Sequence, residues 1–367
     1  MAWSRRSSPR SAASAGCSSS RAIRVSPTKA IDVKRVGREL GVRYVLEGSV
    51  RKAGRRVRIT GQLIDANTGA HLWADRFDGS LEDVFDLQDK VASSVAGVIE
   101  PALQAAETAR SARRPTADLT AYDLYLRAYT MAISSGAQFP EALRLLEQAI
   151  ERDPRYGPAL AYAAVCHFRL VTDDGSEDPQ AERRKGTDRA RRALQVASDD
   201  PGVLANSALA LAWFGEDIGS MMALVDRALA LNPSFARGWY VSGVLRVWAG
   251  LPEVAIDHLE AALRLSPRGR IGAVSHVIGA AHFLSGRFNE ALPRLLLGIQ
   301  EDTNQPTAYR YLAACYAHLG RLDEAGDIVK RLRAIVPVVV SNAGYLRNPE
   351  HRELLASGLR LAAGEEK

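Results

Sequence analysis

One spacing constrains this chain more than any other feature. Small residues stand in pairs seven apart, and the pairs recur every 34 to 36 residues over its C-terminal half. Ala255 and Ala262 form one pair, with Pro267 five further on. Ala142, Ala149 and Pro154 repeat that pattern, and so do Met221, Ala228 and Pro233, with methionine in the first place. Ala291 and Gly298 repeat the pair with Thr303 where proline would stand, and Ala325, Leu332 and Pro337 complete the set. The intervals are 34 from Met221 to Ala255, 36 to Ala291 and 34 to Ala325. Residues seven apart share a helix face, so each pair marks a helix that a second helix approaches closely. The best-kept copy, residues 236–267, has two short amphipathic patterns split by Ala249-Gly250-Leu251-Pro252. The first carries Trp239, Gly243 and Leu245; the second carries Ala255, Leu259, Ala262 and Leu263. One helix–turn–helix of this size cannot bury its own apolar face, so neighbours must stack on it. About six units are expected over residues 120–337. One of them, between Arg155 and Pro201, is degenerate, and residues 172–186 are expected there as a long exposed loop rich in Asp, Glu and Arg.

The unit has the tetratricopeptide length and resembles a tetratricopeptide repeat. Trp239, Gly243, Ala255, Leu259, Ala262 and Pro267 fall at that family's spacings. The resemblance implies that the first helix of each unit lines a concave face. The side chains then expected in the groove are His167, Asn206, Trp213, Arg237, Tyr240, Val244, His276, Arg310 and His318. Their mixed polar and aromatic character suits a protein or peptide ligand; packing or solvent contact is the competing reading for several. Cys166-His167 and Cys315 with His318 are isolated pairs, whereas a zinc site wants four ligands, so no metal or cofactor is expected. The repeated small residues point to close stacking and not to chemistry, and no catalytic residue is assigned.

Residues 32–112 read differently. Asp32 caps a short helix, residues 33–40, that ends at Gly41. Three alternating patterns follow over residues 43–52, 56–65 and 70–77, with turns at Ala53-Gly54 and Asn67-Thr68-Gly69. The first pattern sets Tyr44, Leu46, Gly48 and Val50 on one face. A helix is expected from about Leu81 into the hundreds, with Val84, Leu87, Val91, Val95 and Val98 at helical spacing. Glu47, Asp65, Asp75 and Asp78 could pair for acid–base work, but solvated strand ends and turns are the favoured reading. Trp73 and Phe77 are expected to pack on the Val91 and Val95 face.

The run Gly37-Arg38-Glu39-Leu40-Gly41-Val42-Arg43-Tyr44-Val45-Leu46-Glu47-Gly48-Ser49-Val50 resembles the TolB-amino-terminal-like (FlgO-like) module. So does Ala66-Asn67-Thr68-Gly69-Ala70-His71-Leu72-Trp73-Ala74-Asp75-Arg76-Phe77-Asp78. In bacteria that module is often joined to tetratricopeptide repeats behind a class III nucleotide cyclase, a DNA-binding domain or a kinase. The resemblance implies a module without its first strand and a regulatory half without its catalytic output.

The expected fold class is mostly α: a tetratricopeptide α-solenoid preceded by a small incomplete α/β module of short helix, three-stranded antiparallel meander and long helix. Residues 113–119 read as a linker and residues 338–367 as a capping helix and tail, with Asn348 as N-cap, Pro349 at the first position and Gly364 at the end. Residues 1–31 have no acidic residue and are rich in Ser, Arg and Ala. Three readings stand: out-of-frame sequence, a disordered tail or a targeting peptide. Back-translated and shifted by one frame, residues 1–29 yield a helix, strand and turn pattern that runs sensibly into Ala30.

Composition bounds the function. The net charge of +6 is uneven: residues 1–60 carry 15 Lys and Arg against Asp32, Glu39 and Glu47. The basic character is therefore local, and no nucleic-acid ligand is expected for the array. Arg43, Arg51, Lys52, Arg55, Arg56 and Arg58 carry the nucleic-acid alternative. No apolar run approaches the roughly 20 residues of a membrane span. Cys17, Cys166 and Cys315 are too few and too scattered for a disulfide framework, which points to a reducing, cytoplasmic compartment. The function expected is a non-catalytic protein-interaction scaffold, the regulatory portion of a cyclase-type signalling protein. The alternatives are a cyclase-family enzyme whose catalytic domain is missing and a fragment of a DNA-linked regulator.

Overall fold

The computed structural model describes residues 32–80, 120–134, 138–172, 177–266 and 273–365, together with Leu87, Val91, Val95, Leu103 and Ala106. The expectations for residues 1–31 and for the linker at 113–119 fall outside the described residues.

The first unit is a helix and a sheet. Helix α1 (Val33–Leu40) starts where Asp32 accepts a hydrogen bond from the Lys34 N–H and stops at Gly41, whose φ of 64° suits a residue without a Cβ. Strands β1 (Tyr44–Ala53), β2 (Arg56–Asp65) and β3 (His71–Ser80) form an antiparallel meander in the order β1-β2-β3. Tyr44 faces Asp65 across the first pair and Arg58 faces Asp78 across the second. The first hairpin turns at Gly54-Arg55, one residue later than the alternation suggests. At the second turn Asp65 accepts from the Asn67 and Thr68 N–H groups. Val57, Phe77 and Leu87 are buried together, with Ile59, Trp73, Val91 and Val95 packed against them. Trp73 and Phe77 therefore pack as their spacing implies. Val50 shares the strand face of Tyr44 and Leu46 but is 69% exposed, in a strand with one described neighbour.

The rest is a stack of helix pairs. They are α2 (Ala121–Ser134) with α3 (Phe139–Arg152), α4 (Gly157–Thr172) with α5 (Pro179–Val196), and α6 (Pro201–Phe214) with α7 (Ile218–Leu231). Then come α8 (Ala236–Ala249) with α9 (Pro252–Leu265), α10 (Val274–Leu284) with α11 (Phe288–Glu301), and α12 (Pro306–His318) with α13 (Leu322–Arg333). A last helix, α14 (Pro349–Ala363), packs on α12. Asn348 caps it by accepting from the Glu350 N–H, and Gly364 closes it in the left-handed conformation, as expected.

The paired small residues make the seam inside each unit. Ala142, Ala149, Ala228, Ala255, Ala262, Ala291 and Ala325 have no accessible surface. A Cβ added to Gly243 would lie 2.5 Å from Leu259 Cγ, and one on Gly279 would lie 2.7 Å from Leu295 Cγ. First and second helices thus touch backbone to side chain. The degenerate unit corrects one expectation. The described residues of 172–186 are mostly helical, because α4 runs to Thr172 and α5 begins at Pro179, with Asp178 accepting from the Gln180 and Ala181 N–H groups. Its small pair is Gly186 and Ala193, both buried. A Cβ on Gly186 would sit 2.5 Å from the Phe214 ring.

Candidate partner-binding face

The first helices α4, α6, α8, α10 and α12 lie side by side, and one bond reveals how their shared face is shaped. Arg169 at the end of α4 donates from Nη2 to the side-chain oxygen of Gln305, the N-cap of α12, at 2.9 Å across 136 residues. A stack with only nearest-neighbour contacts gives the second unit no reason to meet the sixth. The contact requires the first-helix face to curl inward.

Inside the curl lies a buried polar cluster. Arg237 on α8 donates from Nε to Asn206 Oδ1 on α6 at 2.9 Å. Its guanidinium lies 5.8 Å from the ring centre of Tyr162 on α4 and 5.9 Å from that of Tyr240 on α8, within reach of cation–π attraction. Arg169 sits 4.9 Å over the Phe139 ring. His276 on α10 is buried, and burial, aided by the Arg169 charge and opposed by the Ala273 carbonyl, pulls its pKa down to about 4. Burial likewise pushes the Tyr162 and Tyr240 hydroxyls up, with Arg237 and Arg169 working against it. At neutral pH this interior holds two guanidinium cations, a neutral imidazole and neutral phenols.

Asn206, Arg237 and Tyr240 meet in this cluster, and His276 joins it through the Arg169 charge. Of the nine groove candidates, His167, Asn206, Arg237, Val244 and His276 are buried, so they give little open surface. His167 faces its own unit: its Nδ1 lies 2.5 Å from Glu182 Oε2 on α5. His318 stacks on Phe288 at 5.0 Å and donates from Nε2 to the Leu354 carbonyl of α14. Arg310 donates from Nε and Nη2 to the Val339 and Val338 carbonyls at 3.2 and 2.8 Å. Trp213 stacks on Tyr345 with ring centres 5.1 Å apart. Sequence reasoning missed Arg169, Gln305, Trp248 and Tyr345. Trp213 and Trp248 stand 35 residues apart, close to one repeat, and that interval was the available signal.

Other candidate chemistry is spoken for. Asp78 accepts from Arg58 Nε at 2.6 Å, which holds its carboxyl below the usual range. Glu47 accepts from Gln62 Nε2, and Asp75 from the Arg76 N–H. Burial pushes the Cys315 thiol up to about 12 and raises that of Cys166 as well, so both are poor nucleophiles. Ser242 Oγ lies 3.0 Å from His258 Nδ1, but the same oxygen accepts from Arg246 and Ser242 is fully buried. A nucleophile needs an approach path, and this serine has none. Among the described residues, no three His, Cys, Asp or Glu side chains group as metal ligands, and no helix is long and apolar enough to cross a membrane.

Residues 282–343 match the tetratricopeptide repeat family model. The chain is 39% identical over 191 residues to a protein of Rhizobium meliloti (strain 1021) named "Putative adenylate cyclase 3", covering 50% of this chain but only 32% of that protein. Among solved structures it is similar to a monomeric mutant of IFIT1 with Gppp-AAAA, at 18% identity and a TM-score of 0.50, covering 60% of this chain and 52% of that one. It is also similar to the human IFIT1 dimer with m7Gppp-AAAA, at 18% identity and a TM-score of 0.49, with 60% and 52% covered. At such identity the likeness concerns the fold. The helix pairs α2 to α13 form a tetratricopeptide-repeat solenoid, whose last pair lies within the matched residues.

Proposed function

We propose that this chain is a protein-interaction scaffold and the regulatory portion of a cyclase-type signalling protein, taking a protein or peptide ligand on its first-helix face in the cytoplasm. The observation that carries the reading is the inward-curling face, which gathers side chains from five successive first helices around Arg169, Arg237 and His276. Curved helical-repeat surfaces of this kind suit extended partners. The likeness to a putative adenylate cyclase supports the link to cyclases. The matched part is about a third of that protein, and the proposal places cyclase activity outside it. The short helix and antiparallel meander support the reading of residues 32–112 as a TolB-amino-terminal-like module.

Two measurements test the proposal. The purified chain, given ATP or GTP with magnesium or manganese, forms no cyclic nucleotide above a buffer blank; turnover overturns the non-catalytic reading. With Tyr345, which stacks on it, replaced by alanine, a photo-crosslinking residue at Trp213 on the first-helix face traps a discrete protein in cells, and one at the exposed Leu297 of α11 does not. Equal trapping from both positions, or none from Trp213, contradicts the assignment of the face.

A further inference from the structure

Residues 334–348 join α13 to α14 without helix or strand, and 338–348 form the second part of that join. They lie against the first helices and not along the outside. Tyr345 packs against two tryptophans that touch each other at 5.6 Å, lying 5.1 Å from Trp213 on α6 and 5.8 Å from Trp248 on α8. Phe168 on α4 backs Trp213 at 5.2 Å. Arg347 donates from Nη2 to the Ala212 carbonyl at 2.6 Å, and its backbone N–H donates to the Trp248 carbonyl at 2.7 Å. Both carbonyls stand at helix C-termini, and at the end of α6 the macrodipole favours the Arg347 cation. At the other end Arg310 grips the Val338 and Val339 carbonyls.

We propose that residues 338–348 are a built-in occupant of the first-helix face, and that the site beneath them takes from a partner protein a segment that turns at an aromatic side chain followed two residues later by an arginine. The proposal deepens the scaffold reading and rests on it. Three features mark the segment as an occupant. It is held at separated points: Val339, Ala343 and Leu346 are buried, while Val338, Asn342 and Gly344 are exposed. Its backbone is gripped through carbonyls by Arg310, a mode indifferent to side-chain identity. Ala343 has a φ of 44°, and among the described residues no other non-glycine has positive φ. An L-residue there is strained, and leaving the face relieves it. The partner chemistry follows from the sockets. The Trp213 and Trp248 rings receive a ring, the α6 C-terminus receives a guanidinium two residues on, and the α8 C-terminus receives that residue's backbone N–H. A tethered occupant acts at an effective concentration of about millimolar, so a segment making the same contacts in trans binds well only when the tethered one is loosened.

The test uses a fluorescein-labelled peptide of residues 338–348 and the full chain, read by anisotropy. The Tyr345→Ala/Arg347→Ala chain binds the peptide at least tenfold more tightly than the wild-type chain does. A peptide with alanine at both anchor positions binds neither. Equal affinity for the two chains, or no binding to the double variant, overturns the proposal. So does loss of helical circular dichroism in that variant, since a segment whose loosening unfolds the array is core. Hydrogen exchange on the wild-type chain supplies a check without substitution: amides of 338–348 exchange by local opening ahead of α12, and exchange only together with α12 overturns the proposal. The peptide result and the Trp213 crosslink separate the two readings. A trapped partner with no peptide binding leaves the scaffold standing and removes the built-in occupant; peptide binding with no trapped partner leaves the socket to the tethered segment alone and overturns the partner reading and with it the proposal.

Discussion

The two helix layers of the array obey different rules. The second helices bury one stripe each: Met221, Val225, Ala228 and Leu229 in α7, and Ala255, Leu259 and Ala262 in α9. The first helices are enclosed. Helix α6 buries ten consecutive residues, Val203 through Ala212, with Asn206 and Ser207 among them. A helix covered on one side needs one apolar stripe, whereas a helix buried all round must be apolar or must pair its polar groups. Curvature creates the difference. The first helices meet their partners on one side, their neighbours on two more and, where Arg169 reaches Gln305, the far side of the coil. The outer layer therefore holds units together by shape, and the inner layer adds polar chemistry that depends on the coil being closed.

The largest expected effect lies in the seam. Leu259 has no accessible surface and fills the space left by Gly243. Leu259→Ala should lower unfolding free energy by about 3–4 kcal/mol, whereas Leu231→Ala, at a 44% exposed position of the same layer, should change it by less than about 0.5 kcal/mol. Chemical denaturation compares the two; similar losses would erase the stripe. Next is His276, whose folded-state pKa of about 4 lies below its ordinary 6.5. Between those values the unfolded chain binds a proton that the folded chain does not. Its contribution is whole above pH 6.5 and is lost as pH falls toward 4, on the order of 3 kcal/mol in total. Burial lowers His258, His282 and His351 in the same direction, so the readout is the difference between wild type and His276→Gln across that window. An unchanged slope would place His276 in water.

Ala262→Leu should cost about 2 kcal/mol, since a fully buried seam has no room for three more carbons; an unchanged melting temperature would mean that the helices do not meet there. Arg237→Ala should cost about 1–2 kcal/mol by leaving buried Asn206 without its donor, and Asn206→Ala in the same background should then cost less than it does alone. Independent, additive losses would dissolve the inner cluster. The smallest stability effect is expected for Tyr240→Ala, below about 1 kcal/mol, with the larger loss in partner capture by the Trp213 crosslinker. The reverse ranking would make Tyr240 a packing residue.

What could be read from the sequence was what closes locally. Gly243 meets Leu259 sixteen positions on, so the seam leaves a periodic trace, and so do the caps at Asp32 and Asn348. Helix α5 was hidden because its covered stripe is only Gly186, Ala190 and Ala193 amid charged residues that face solvent. The inner cluster was half legible. Register placed Asn206, Arg237, Tyr240 and His276 on one face, but nothing local joins Arg169 to Gln305. Nor does any periodicity mark residues 338–348, whose places are set by Trp213, Trp248 and Arg310 on three distant helices.

The central claim is that the first-helix face closes on itself. A chain carrying Cys17→Ala, Arg169→Cys and Gln305→Cys, treated with a short bismaleimide, tests it most directly. Native Cys166 and Cys315 are buried with raised thiol pKa values and should not compete. A closed coil gives an intramolecular link between peptides containing residues 169 and 305, found by mass spectrometry in the monomer and absent when the second cysteine is moved to the outward-facing Leu322. Failure to link 169 with 305, or equal linking to 322, would show an open array and contradict the account.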